Sequence, residues 1–239
     1  EEYQKVRIDA EESMPEYNQK NNTVRTSGVF KTMQPLKLQF YTSFENPNKT
    51  QIFWLPSVKY NAYDKFLIGA QFYNTSIFRK PFEYRISPDY STGTGKITGM
   101  ASFRFNWTPH NSVFHLVSLA LYGRYYHYAE NLAYTRLSPT LTLNFKKSSP
   151  RSEWIRTLRL RTVLVDKEEP QPGSDISTFS ATPNYRIVNM QYRAEKGSLL
   201  NPLIAIADAQ FATDFVKLSG EYKQRWRLTK NHLLTARMF

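Results

Sequence analysis

Apolar and polar residues alternate one by one along most of this chain, and a period of two is typical of β-strands. Near the C-terminus Val216, Leu218 and Trp226 share one face, opposite Lys217, Glu221, Lys223, Arg225 and Arg227. Apolar residues seldom recur at helical spacing, and no capping box precedes an apolar run. The alternation therefore predicts an all-β fold.

Twelve segments alternate in this way, and turn-forming residues such as Asn46-Pro47-Asn48 separate many of them. Boundaries read from a single sequence shift by about 2–4 residues, so ten to fourteen strands fit the pattern. The predicted strands are 36–45, 50–60, 66–74, 77–86, 96–107, 112–126, 138–146, 153–165, 184–193, 203–211, 214–228 and 232–239.

Strand length and the character of the two faces distinguish a soluble sandwich from a membrane barrel. Strands of soluble proteins average about five or six residues, whereas a membrane strand needs about 9–11, and several segments here fit the longer value. A membrane barrel also turns apolar side chains to lipid and charges of both signs to its lumen. We therefore predict an antiparallel transmembrane β-barrel over residues 35–239, preceded at 1–34 by a polar linker or the end of another domain.

The alternation assigns side chains to the two faces of this predicted barrel. Because the apolar faces tend to end in aromatic residues, we expect them to meet lipid and its interfaces. About twelve strands enclose little free space once long side chains point inward, which predicts a filled lumen. The candidate lumen charges are Arg104, Lys217, Glu221, Lys223, Arg225 and Arg227, and the candidate lipid-facing residues are Phe103, Phe105, Trp107, Leu141, Leu143, Val216, Leu218 and Trp226.

The sequence offers no constellation of catalytic or metal-binding residues. It has no cysteine and four histidines, and no His-Glu-x-x-His or Gly-x-Ser-x-Gly motif occurs. His127 sits among Tyr125, Tyr126 and Tyr128, which indicates an aromatic cluster at a membrane interface rather than a ligand site. We predict no catalytic, cofactor-binding or metal-binding residue in this chain.

The excess of basic over acidic residues, which gives a formal net charge of +12, allows a second interpretation. Basic and aromatic residues together are also typical of nucleic-acid binders, and Trp154, Arg156 and Arg159 could be drawn as such a surface. Arg156 lies on the opposite face from Arg159, however, and basic residues also line lumens or meet anionic headgroups. A lipid surface, without a nucleic-acid partner, is the favoured interpretation.

The run from Leu55 to Gly69, LPSVKYNAYDKFLIG, is the most distinctive in the chain. It resembles the start of the C-terminal barrel in aminopeptidase-N-like (gluzincin) zinc metallopeptidases of the Bacteroidota. Looser matches follow in order at Pro88-Asp89-Tyr90-Ser91 with Gly99, at 134–139, at 185–192, at Phe215-Val216-Lys217-Leu218, and at the final Leu234 to Phe239.

The resemblance implies an outer-membrane barrel that follows a zinc peptidase domain. No His-Glu-x-x-His is present here, so no catalytic residue is carried over, and any zinc would belong to an upstream domain. Within the distinctive run, Asn61 and Asp64 are expected to form a tight turn, with Tyr60 and Tyr63 at the membrane interface.

The expected function is that of a bacterial outer-membrane β-barrel acting as an anchor or scaffold within a larger protein or complex. Its expected partners are the lipid bilayer, lipopolysaccharide, and other outer-membrane proteins or lipoproteins. Three alternatives remain open: the membrane domain of a zinc aminopeptidase, a passive pore or uptake channel, and a soluble basic β-domain that binds nucleic acid.

Overall fold

The computed structural model describes residues 3–11, 13–16, 19–28, 31, 34–41, 45–46, 48–169, 184–198, 200–229 and 232–239. These residues form an all-β structure whose one helical element in the described ranges is a short 3₁₀ turn, Gln19–Asn22. Nowhere in the described ranges is there a helix with the length and apolar character needed to cross a membrane.

The strands form two sheets. A small antiparallel pair, β1 (Lys5–Arg7) and β2 (Thr23–Arg25), lies in the N-terminal segment 1–34, for which the prediction is a polar linker or the end of another domain. The other strands form one twelve-stranded sheet in which each strand lies beside its predecessor, so the predicted number of twelve is confirmed. They are β3 (Leu36–Phe40), β4 (Thr50–Asn61), β5 (Lys65–Tyr73), β6 (Phe82–Ser91), β7 (Ile97–Trp107), β8 (Phe114–Ala129), β9 (Leu132–Phe145), β10 (Trp154–Lys167), β11 (Tyr185–Lys196), β12 (Leu203–Ala212), β13 (Val216–Arg227) and β14 (Leu233–Met238).

The first pair of the large sheet departs from the expected antiparallel arrangement. β3 runs parallel to β4, with Leu36 beside Thr50 and Phe40 beside Trp54. Every other neighbouring pair is antiparallel. Of the predicted strand 36–45, only 36–40 is a strand, and 42–44 lie outside the described residues. Among the described residues β14 does not pair with β3, so the sheet has two edges.

The register places apolar side chains on one face of this sheet, which we call the apolar face. One row across it runs from β6 to β13 without a polar residue: Phe82, Phe105, Leu119, Leu141, Leu160, Met190, Ala209 and Leu218. Large members of this row are open to solvent in the isolated chain, since Phe105 is 57% and Leu218 75% exposed.

The opposite face, which we call the polar face, is its chemical inverse. The adjacent row runs from β7 to β13 through polar residues alone: Asn106, Ser118, Thr142, Arg159, Gln191, Asp208 and Ser219. These side chains bond to one another, as Ser118 Oγ donates to Asn106 Oδ1 at 2.7 Å and Arg159 donates to Gln191 at 2.9 Å. Several polar side chains of this face are buried, with Asn189 2% and Asp89 1% exposed.

Gly69 on β5 lets polar groups of two other strands meet above it. Ser57 and Lys59 on β4 both reach Asp89 on β6, with Lys59 Nζ 2.6 Å from Asp89 Oδ2. A Cβ atom at Gly69 would lie 2.0 Å from the Pro88 carbonyl oxygen and 2.7 Å from Asp89 Oδ1. Glycine is therefore required here by the close approach of β6 and by the ion pair.

We predict that Gly69→Ala destabilises the chain by about 1–3 kcal/mol, because the new methyl group overlaps backbone that cannot easily yield. The measurement is the free energy of unfolding from a urea titration. Gly220→Ala is the matched control, since a Cβ there would come no closer than 3.8 Å to the Ile206 carbonyl. An equal loss of stability in both variants would contradict the steric explanation.

Candidate functional site

The turn between β4 and β5 is closed by the side chain of Asn61. Its Oδ1 accepts hydrogen bonds from the backbone N–H groups of Tyr63 at 2.9 Å and Asp64 at 2.6 Å. This is an Asx turn, in which a short side chain replaces a backbone acceptor. The turn holds Asp64 in a fixed position at one end of the sheet.

The carboxylate of Asp64 is fully buried and joins elements that are far apart in the chain. His127, near the end of β8, donates through its backbone N–H to Asp64 Oδ2 at 3.1 Å. The His127 Nδ1 atom lies 2.7 Å from Asp64 Oδ1, and because a carboxylate only accepts, the imidazole proton is on Nδ1. Asn61 Nδ2 donates to Oδ2 at 2.8 Å. One carboxylate therefore connects the β4–β5 turn to β8, past β6 and β7.

The turn between β6 and β7 covers this contact. The Ser91 hydroxyl and the Gly93 backbone N–H both donate to the Asp64 carbonyl, each at 2.9 Å. A Cβ at Gly93 would lie 2.5 Å from the Tyr63 carbonyl, so glycine is needed for the two turns to pack. We call Asn61, Asp64, Ser91, Gly93 and His127 the turn cluster.

Electrostatics in the turn cluster favour an ionised Asp64. Burial alone raises the pKa of Asp64, but the hydrogen bonds donated by Asn61 and His127 outweigh it and hold the pKa of this carboxyl below its ordinary value. The His127 imidazole is itself completely buried, and its Nε2 has no hydrogen-bond partner among the described residues.

The turn cluster contains a serine, a histidine and an aspartate, but their arrangement is structural. The Ser91 hydroxyl proton is directed to a backbone carbonyl, while its oxygen accepts hydrogen bonds from both the backbone and the hydroxyl of Thr94. The hydroxyl is thus fully used within the turn, and His127 is occupied by Asp64. Among the described residues no group of three or more His, Asp or Glu side chains could hold a metal ion.

The sequence-predicted residues fall on the two faces as follows. The candidate lumen charges Arg104, Lys217, Glu221, Lys223, Arg225 and Arg227 all lie on the polar face by register. The candidate lipid-facing residues Phe103, Phe105, Trp107, Leu141, Leu143, Val216, Leu218 and Trp226 all lie on the apolar face. Tyr60 is on the apolar face and Tyr63 is in the turn, and both are exposed.

The interpretation of His127 as part of an interfacial aromatic cluster is wrong. Its side chain is buried against Asp64, and of its tyrosine neighbours Tyr125 alone stacks edge-on against it within the described part of the chain. Sequence reasoning also missed Lys59 and Asp89, which pair across Gly69. The signal that could have found them is Gly69 itself, because glycine inside a strand indicates close approach of another backbone.

The polar face carries more basic than acidic residues. Ion pairs neutralise some of the charge, including Lys59 with Asp89, Arg104 with Glu83 at 3.5 Å, and Arg237 with Glu221 at 2.9 Å. The acidic residues of the face are Glu83, Asp89, Glu195, Asp208 and Glu221, while the basic residues include Arg85, Arg104, Arg124, Arg136, Arg159, Arg161, Lys217, Lys223, Arg225 and Arg227. The face is therefore net positive.

Comparison of the chain with protein-family models, curated proteins and solved structures gives no match. The likeness to zinc metallopeptidase barrels accordingly depends on the short motifs alone.

We predict that Asp64→Asn destabilises the chain by about 1–3 kcal/mol at neutral pH, because the amide places a donor where the carboxylate accepts from Asn61 and His127. The free energy of unfolding measures the effect. Asp166→Asn serves as the control, since Asp166 lies on the exposed surface of β10. Equal stability of the two variants would mean that the turn cluster does not hold the sheet together.

We also predict how this difference depends on pH. A carboxyl with a lowered folded-state pKa adds stability that is fully present above the unfolded-state pKa, and this stability is lost as the pH falls through the folded-state pKa. The stability gap between the native chain and Asp64→Asn should therefore narrow below about pH 4. A gap that widens on acidification in this range would contradict the assignment.

Proposed function

We propose that residues 35–239 form a β-barrel that spans the bacterial outer membrane and acts there as an anchor or scaffold within a larger protein or complex. The observation that carries the proposal is the unbroken apolar row from Phe82 to Leu218, in which five of the eight side chains are exposed: Phe82, Phe105, Leu119, Met190 and Leu218. Soluble antiparallel sheets bury an apolar face and expose a polar one. Here several buried polar side chains lie on the polar face, and large side chains of the apolar face are exposed, which is the arrangement that a bilayer requires.

The lengths of the strands support the same proposal. β8 has 16 residues, and β9 and β10 have 14 each. A tilted strand of about 9–11 residues crosses the hydrocarbon core, so these strands could cross it and extend beyond. Strands of this length are well above the usual value of about five or six in soluble proteins.

The distribution of tryptophan supplies independent support. The four tryptophans of the chain all lie on the apolar face, near the beginning of β4 and β10 and the end of β7 and β13. Because neighbouring strands in this range are antiparallel, these positions are at the same end of the sheet. They are Trp54, Trp107, Trp154 and Trp226, while Tyr60, Tyr90 and Tyr125 lie towards the other end of the same face. Two aromatic bands of this kind are typical of membrane interfaces.

Spanning a bilayer also requires that β3 and β14 be paired, because lipid cannot satisfy the hydrogen bonds of an open edge. β4 to β14 are eleven strands of alternating direction, so β4 and β14 run the same way. β3 is parallel to β4, and a direct β3–β14 closure would therefore be a parallel pair.

The resemblance to peptidase barrels supports the anchor role, since an anchor implies attached domains or subunits.

We predict that Leu218→Arg impairs insertion into lipid vesicles, at a cost of about 2–4 kcal/mol if the residue lies near the middle of the bilayer. Ser219→Arg is the matched control, because it adds the same side chain to the same strand on the polar face, opposite Asp208. Folding into vesicles, followed by protection from protease, is the measurement. Equal insertion of both variants would refute the proposal that the apolar face meets lipid.

A passive pore is the second candidate, and the net positive polar face favours it. Single-channel recording in planar bilayers distinguishes the two functions. A pore lined by this face should conduct with a preference for anions, and neutralising Lys217, Lys223 and Arg225 together should reduce that preference. A bilayer that stays silent after insertion has been verified supports the anchor.

A further inference from the structure

Two arginines stand directly opposite each other on the polar face. Arg124 on β8 and Arg136 on β9 are register partners, which brings the Cβ atoms of such a pair to about 4.5–5.5 Å. Like charges in this position repel each other and destabilise a sheet. An anion between or beside the two guanidinium groups would relieve this repulsion.

The side chains around this pair do not supply that anion. In the same row, Met100 lies beyond Arg124 and Val165 beyond Arg136. The adjacent rows contribute Tyr122 opposite Ser138 on one side and Tyr126 opposite Tyr134 on the other. None of these residues is acidic, and no ion pair between described residues includes either arginine.

The contacts that the two arginines do make leave donors unused. Arg124 lies over the Tyr134 ring at 5.3 Å, and its Nε is buried without a hydrogen-bond partner in the described part of the chain. Arg136 Nε donates to Ser138 Oγ at 3.3 Å. Asp89, a carboxylate of the same face on β6, is already bound by Lys59 and Ser57. Apart from the bond from Arg136 Nε to Ser138, no acceptor among the described residues is recorded for the N–H groups of the pair.

We propose that Arg124 and Arg136 form a binding site for a phosphate-class oxyanion on the polar face. Two guanidinium groups on neighbouring strands suit a doubly charged tetrahedral anion, because each can offer paired N–H donors to separate oxygens. The tyrosines that flank the pair provide hydroxyl groups and a partly buried setting. The site goes beyond an anchoring role, and it does not depend on the membrane, since both arginines lie on the polar face in either case.

The test uses the full chain in a non-ionic detergent free of phospholipid. Its thermal unfolding midpoint is followed by intrinsic fluorescence while inorganic phosphate is titrated against sodium chloride at equal ionic strength. Binding to the folded state alone raises the midpoint in a saturable way. We expect phosphate to do so beyond chloride, and Arg124→Gln or Arg136→Gln to weaken the apparent affinity about tenfold or more, since charged hydrogen bonds are lost.

Each variant also carries an internal check on folding. Because one of two repelling charges is removed, the midpoint without phosphate should stay level or rise in Arg124→Gln and Arg136→Gln. Arg193→Gln is the control on the same face, since Arg193 is paired with Glu195 at 2.9 Å, and it should keep the phosphate response.

Three results would overturn the site. The first is an equal response of the unfolding midpoint to phosphate and chloride, and the second is an unchanged phosphate response in both pair variants. The third is a response that appears only when a phosphate-bearing lipid is added, because that result would place the anion on the apolar side. Failure of vesicle insertion with an intact phosphate response would reject the membrane function and leave this site standing.

Discussion

No layer of described residues covers the apolar face of the twelve-stranded sheet, and this constraint governs the remaining structure. Exposed side chains such as Phe105, Leu119, Met190 and Leu218 form a continuous belt, and leaving such a belt in water would be costly at about 25 cal/mol for each Å² of apolar surface. Soluble monomers rarely expose a continuous apolar patch of more than a few hundred Å². A bilayer over this face would remove the cost for every strand at once, and it would also account for the gathering of the tryptophans at one end of the same face.

If the apolar face meets lipid, the specificity of the fold must come from the polar face. Hydrogen bonds and ion pairs there accompany buried apolar side chains such as Phe53 and Val163. Arg159, Gln191 and Asp208 are linked across three strands, and Lys59 reaches Asp89 over Gly69. The turn cluster serves the same purpose at one end, where Asp64 joins the β4–β5 turn to β8. Such contacts require defined geometry, because a buried polar group without a partner costs about 1–3 kcal/mol.

Much of the fold follows from local alternation, whereas its specific contacts do not. Twelve strands were predicted because their side chains alternate, yet β6 is Phe82–Ser91 rather than 77–86. The apolar residues Ile77 and Phe78, which began the predicted strand, lie in the loop before β6. The first half of β9 was missed because Tyr134 faces the polar side and Thr135 the apolar side, which weakens the pattern. The Asp64–His127 contact spans 63 residues, and the opposition of Arg124 to Arg136 depends on register. A single sequence encodes neither in a local pattern, and the same holds for the parallel pairing of β3 with β4.

The central claim is that one face of the sheet meets lipid and the other does not, and spin-label accessibility along β13 tests it most directly. The chain has no cysteine, so a single cysteine at each position from 216 to 227 can carry the label in a reconstituted bilayer. The account predicts a period of two, with Val216, Leu218, Gly220 and Tyr222 accessible to lipid-soluble oxygen and the intervening residues shielded from it. The account would be contradicted if labels at 216, 218, 220 and 222 responded instead to a water-soluble nickel chelate, or if oxygen accessibility did not alternate along the strand.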